Sequence, residues 1–178
     1  MDIIAPIHPD GAKRLFDYVI YLHGSTCVDR VGLTMTFAHE LQHFVQQHGS
    51  AQRLWAENQL IKTLITTLPE GERTALGLMW SDIPIEREAR IVSKRTAETL
   101  FGAEPVRQFI EQRIIEAVDK CDAANWRFIQ GIVFPIQIDL AGDTQRLYHQ
   151  LKGYRLRLEE LLQEMKKQPE FKDVELTS

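Results

Sequence analysis

The chain is short of cysteine, of long apolar runs and of positive charge, and each shortage removes a class of protein. Cys27 and Cys121 are its only cysteines. Lacking C-x-x-C spacing, they read as reduced thiols, which excludes a disulfide-stapled fold. Nowhere do roughly 18 apolar residues run together, so no transmembrane helix is expected. The opening, residues 1–11, lacks the basic start and apolar stretch of an export signal. The expectation is a soluble, cytoplasmic protein with no membrane partner. A net charge of -4 with the signs interspersed offers no broad basic surface, which argues against nucleic acid as a partner. No internal repeat or linker divides the chain.

What is present is one domain's worth of ordinary globular sequence. At 178 residues, 44% of them hydrophobic, the chain can bury a core without cross-links, so residues 1–178 are read as a single domain. Residues 12–24 hold an apolar patch, Tyr18 to Leu22, that fits a strand or the end of a short helix. From Val31 to Gln47, Phe37, Leu41 and Phe44 recur at helical spacing, with Thr34 or Thr36 near the start and Gly49 at the end. Ser50 can cap a second helix carrying Leu54, Ile61, Leu64 and Leu68, and a short helical piece to about Trp80 follows.

Pro84 in a first turn opens a helix that runs to Phe101 and stops at Gly102. Val106, Phe109, Ile110, Ile114 and Val118 mark another helix from Pro105 to about Lys120. Phe134, Ile136, Ile138 and Leu140 alternate as in a strand, and Pro135 restricts it to a sheet edge. Asp143 can cap a long last helix, residues 143–168, with a seam of Leu147, Leu151, Tyr154, Leu158, Leu161 and Met165. That seam either covers the protein's own core or forms a homodimer. The expected class is mainly helical α+β.

The chemistry concentrates in His39-Glu40-Leu41-Gln42-His43, an H-E-x-x-H inside a helix. Histidines four apart lie one turn above each other, so both imidazoles can reach one tetrahedral Zn2+. Glu40 points to the adjacent face, where it can serve as general base for a zinc-bound water. A chance match arises in roughly 2% of chains with this His and Glu content, and the helical context lowers that further. Phe37, Leu41 and Phe44 fall on a face largely separate from the histidines, which suggests one side for the core and another for a cleft.

Phe37-Ala38-His39-Glu40-Leu41-Gln42-His43-Phe44 resembles the active-site helix of zincin metallopeptidases, especially compact gluzincins of the ImmA/IrrE type. That resemblance implies a mainly helical α+β zincin fold with an active-site helix, a second ligand-bearing helix and a small sheet or hairpin preceding them, and hydrolysis of a peptide or protein substrate. It also implies a third ligand from a downstream E-x-x-A pattern, which Glu86-Arg87-Glu88-Ala89 fits through Glu86. The residues after Ala89 depart from the family pattern. Glu88 competes, but it points about 200° away from Glu86 on a helix, so both cannot face the metal. Glu57 is a third candidate. Arg90, one turn after Glu86, could steady that carboxylate, and reaching solvent is the favoured expectation.

His48 falls one residue short of the third histidine of metzincins, and Gln46 stands where their glycine would be. Gln46-Gln47 is similar instead to the short H-E-L-x-H-x-x-Q-Q domains of contractile-injection loci. Tyr148, His149 and His23 are open candidates for stabilising an oxyanion. A zinc hydrolase of a non-peptide amide would use the same residues. A catalytically inactive zincin-fold protein that acts by protein contact is the alternative from another class.

Overall fold

The computed structural model describes residues 28–176 together with Ile20 and Leu22. Apart from those two residues, the element expected over 12–24 lies outside the described residues, as do Cys27 and His23. Among the described residues the chain is mostly helical: eight α-helices with short 3-10 turns between some of them. No strand occurs among them, so the edge strand expected over residues 134–140 is absent, while the stretch before the motif helix, where the small sheet or hairpin is expected, lies almost wholly outside the described residues.

Helix α1 spans Arg30–His48. Its cap is Asp29, whose carboxylate accepts from the Gly32 amide at 2.8 Å, and the threonines expected for that task lie inside the helix. Helix α2, Gln52–Thr67, begins after Ala51 with no side-chain cap from Ser50. Helix α3 is the short Glu70–Leu76, and a 3-10 turn at Trp80–Asp82 leads into α4, Pro84–Phe101. Pro84 fits that first turn because its φ is already helical and its missing N–H would have had no partner. Gly102 ends α4 with φ 85°, a conformation that suits glycine.

Helix α5, Ala103–Ile115, stops short of the expected end and leaves Val118 exposed. Helix α6, Lys120–Gly131, has no counterpart in the sequence reading: only Ala123 and Ile129 are buried along it, too few to give a periodic signal. After it, residues 132–139 run as an irregular strap. The alternation seen in the sequence is real, because Phe134, Ile136 and Ile138 pack inward while Val133, Pro135 and Gln137 face out. It arises from packing on helices rather than from a ladder, and the edge-strand expectation is corrected accordingly.

Helix α7, Leu140–Gln150, is capped by Asp139 rather than Asp143. The single helix expected over 143–168 is interrupted by a 3-10 turn, Lys152–Tyr154, before α8, Arg155–Met165. Gly153 sits in that interruption, where its poor helix propensity is tolerated. The seam residues Leu147, Leu151 and Leu158 are buried in the chain's own core beside Leu60, Ile61 and Leu64 of α2. Each such fully buried aliphatic side chain contributes about 1.5–3 kcal/mol.

A second apolar cluster joins Val31 and Met35 of α1 to Ile91 and Ala97 of α4 and to Val106, Ile110 and Ile129. Helices α1 and α4 lie along each other, and fully buried Ala89 lets their backbones approach. The Ser93 hydroxyl pins the pair by donating to the Met35 carbonyl at 2.8 Å. The orientation of α1 reverses the sequence expectation. Phe37 and Leu41 are 46% and 43% exposed, whereas Ala38 and Gln46 are buried, so the motif side of the helix is the one that faces α4. Hydrophobic periodicity misleads here because the inward stripe passes from Val31, Met35 and Ala38 to the polar His39, His43 and Gln46, which find their partners on α4.

Candidate metal centre

Pro84 sets the phase of α4, and two residues later Glu86 comes to lie opposite His39 and His43 with only 2% of its surface exposed. The two imidazole Nε2 atoms are 3.1 Å apart. Glu86 Oε2 is 3.4 Å from His39 Nε2, and Oε1 is 3.5 Å from His43 Nε2. Ligands about 2.0–2.2 Å from a tetrahedral zinc stand about 3.3–3.6 Å from one another, so the three groups are spaced close to the edges of such a tetrahedron. Their ligand atoms all lie within 4.8 Å of one another, and this is the one His, Cys, Asp and Glu group of that kind among the described residues. Two imidazoles and one carboxylate are a donor set that suits zinc.

Gln46 orients the second histidine. Its Oε1 lies 2.8 Å from His43 Nδ1, and its Nε2 donates to the Ile85 carbonyl at 3.0 Å and to Glu88 Oε2 at 2.9 Å. Because the amide nitrogen is occupied by two acceptors, the amide oxygen must accept from His43 Nδ1–H, so that the neutral imidazole has its Nε2 lone pair facing the cluster. Glu88 is therefore bound to Gln46 rather than to the ligand set, as the helix phase demands. Glu57 is also excluded: it is buried on α2 and paired with Arg53 at 3.0 Å.

Lys62 of α2 reaches the same centre, with Nζ 2.9 Å from Glu86 Oε1 and 4.8 Å from the Trp80 ring centroid. Burial alone would raise the Glu86 pKa. Hydrogen bonds from His39 and His43, with the charges of His43 and Lys62, outweigh it and hold the carboxyl well below the usual range. The histidines separate. Burial lowers the His39 pKa despite its hydrogen bond to Glu86. For His43 burial acts in the same direction, but contacts with Glu86 and Gln46 and the charge of Glu40 overcome it and raise the value. Without metal the cluster is thus an anionic Glu86 with a proton favoured on His43, and the Glu40 charge is near enough to be felt there.

Of the remaining residues singled out in the sequence, His48 lies beside the Phe44 ring at 4.6 Å and outside the ligand group. The Tyr148 hydroxyl donates to the Glu57 carbonyl at 3.5 Å, and burial raises its pKa. His149 lines a separate cavity with Lys152 and Arg155. Arg90, expected in solvent, is instead partly buried between α1, α4 and α6, where it borders a cavity with His39.

Sequence reasoning missed Gln46 and Lys62, and favoured solvent for Arg90. Gln46 carried a usable signal, since a residue three positions after His43 shares its helix face. Lys62 and Arg90 acquire their places only through the packing of α2, α4 and α6. No helix of the described residues is long and apolar enough to cross a membrane. In comparisons with known proteins, no family model, curated protein or solved structure matches the chain.

Proposed function

We propose that the chain is a zinc-dependent hydrolase of a peptide or protein substrate, with His39, His43 and Glu86 as metal ligands and Glu40 as general base. The observation that carries this reading is the spacing of three ligand atoms from two helices. Zinc in this position supplies a Lewis acid for the carbonyl and lowers the pKa of a bound water toward neutral. Glu40, the residue after the first ligand, takes the proton of the attacking water and returns it to the departing amine. Gln46 keeps His43 in the tautomer that presents Nε2. Lys62 and Arg90 surround Glu86 with positive charge.

The motif helix and the ligand-bearing helix α4 match two elements of the zincin expectation, and no strand among the described residues supports the fold as a whole. A cytoplasmic setting accords with Cys121 being an exposed free thiol. Hydrolysis of a non-peptide amide would use the same residues in a cleft of another shape.

A second reading draws on the 2.9 Å contact between Lys62 and Glu86. That ion pair satisfies the carboxylate without a metal, as it would in an inactive scaffold that works by protein contact. Glu40→Gln separates the two readings. In the hydrolase it keeps the metal and loses roughly 10²–10⁴-fold in hydrolysis of a casein or peptide-library substrate, the usual worth of a general base. Unchanged turnover would remove Glu40 from the mechanism.

A further inference from the structure

A partly buried cation near the candidate metal centre has no hydrogen-bond or ion-pair partner among the described residues. Arg90 sits on α4 one turn after Glu86, and its Nε is buried without any hydrogen bond. No carboxylate among the described residues makes an ion pair with it; Glu86 and Asp122 act on it only at longer range. Its other arginine neighbours in sequence are served: Arg87 stacks on Phe128 and approaches Asp143, and Arg95 lies over Phe134. A guanidinium withdrawn from water and left unpaired costs several kcal/mol unless a partner arrives. It stays charged at any ordinary pH.

The guanidinium borders a cavity of about 170 Å³ between α1, α4 and α6, shared with His39, Thr36, Ser93 and Trp126. That volume is several times the roughly 30 Å³ a water molecule takes in the liquid, so a short acidic group fits. The Ser93 hydroxyl already donates to the Met35 carbonyl, and Trp126 offers a flat apolar wall. Among the described residues Arg90 is the one Lys or Arg side chain lining the cavity. A planar fork of donors at the end of an otherwise weakly polar cavity matches a carboxylate, which can accept two parallel hydrogen bonds from it. His39 lines the same cavity, so whatever occupies it lies next to the ligand set.

We propose that the cavity between His39, Arg90 and Trp126 is a carboxylate subsite, in which Arg90 anchors an acidic group of the substrate beside the metal centre. Its consequence for substrate choice rests on the hydrolase reading, whereas carboxylate binding itself does not. The acidic group comes either from a chain's C-terminus or from an Asp or Glu side chain, and both present the same chemistry.

The test uses metal-free full-length protein and follows the Arg90 Nε–H and Trp126 indole N–H signals in ¹⁵N spectra during titration with three probes. N-acetylglutamine offers only an α-carboxylate, N-acetylglutamate α-amide only a side-chain carboxylate, and N-acetylglutamine amide neither. At least one acid should shift both signals saturably, with the neutral amide at least about tenfold weaker, the ratio that a charge-assisted hydrogen bond supplies. A response to the α-carboxylate assigns the group to a chain end, and a response to the other acid assigns it to an acidic side chain. Arg90→Gln should abolish the preference while keeping whatever zinc the unaltered protein binds. Equal responses to all three probes, or none, overturn the proposal on the unaltered protein alone. So does a folded Arg90→Gln variant that still prefers the acid. Loss of the hydrolase reading would register separately, as an absence of zinc in the unaltered protein.

Discussion

The side-chain oxygen of Gln46 lies 2.8 Å from Nδ1 of His43, and the same amide holds Glu88 at 2.9 Å through its nitrogen. One buried glutamine thereby fixes the tautomer of a candidate ligand and keeps a competing carboxylate away from the cluster. Gln46→Leu removes both effects while filling the space with a side chain of similar size. Zinc affinity should fall roughly 10- to 100-fold, the usual effect of losing a partner behind a metal-binding histidine. Competition against a chromophoric chelator measures it. Unchanged affinity would show that His43 needs no support.

Ala89 tests the packing that assembles the site. It is fully buried where α4 meets α1, and the cluster exists only while those helices stay close. Ala89→Leu overpacks that contact and should cost about 1–3 kcal/mol in urea unfolding of the metal-free protein. It should also weaken zinc binding, because Glu86 moves away from His39 and His43. A destabilised variant with undiminished zinc affinity would uncouple the helix contact from the site.

The site was legible in the sequence wherever it depended on local phase. H-E-x-x-H sets His39 and His43 one turn apart, and Pro84 with Gly102 bounds α4 closely enough to separate Glu86 from Glu88. What depends on long-range packing was not legible. Phe37 and Leu41 suggested the inward face of α1, yet the second half of that face is polar, because Glu86, Glu88 and the Ile85 carbonyl satisfy His39, His43 and Gln46 from α4. In residues 132–139 an alternating pattern reflects an extended strap on helices and no sheet. The break at Lys152–Tyr154 was hidden because Leu151 and Leu158 keep seven-residue spacing across it.

The unequal histidines give the site a pH dependence. The proton favoured on His43 must leave before metal binds, whereas Glu86 is already ionised and His39 already tends to be neutral. Zinc affinity should therefore fall by about tenfold per unit as pH drops through the raised His43 value, which lies above 6.5. Stability of the metal-free protein runs the other way. A histidine that holds its proton more tightly when folded stabilises below about 6.5, and that contribution is lost as pH rises through its folded value. Chelator competition and urea unfolding between roughly pH 6 and pH 8 measure the two trends. A flat zinc affinity over that range would contradict the assignment of the proton to His43.

The central claim is that His39, His43 and Glu86 form one zinc site. Its most direct test is metal analysis of protein purified without a histidine tag, beside His39→Ala, His43→Ala and Glu86→Ala variants. The account predicts one zinc per chain in the unaltered protein and little in any of the three. Equal, negligible zinc in all four would contradict it and leave the cluster as a buried polar network of a binding protein.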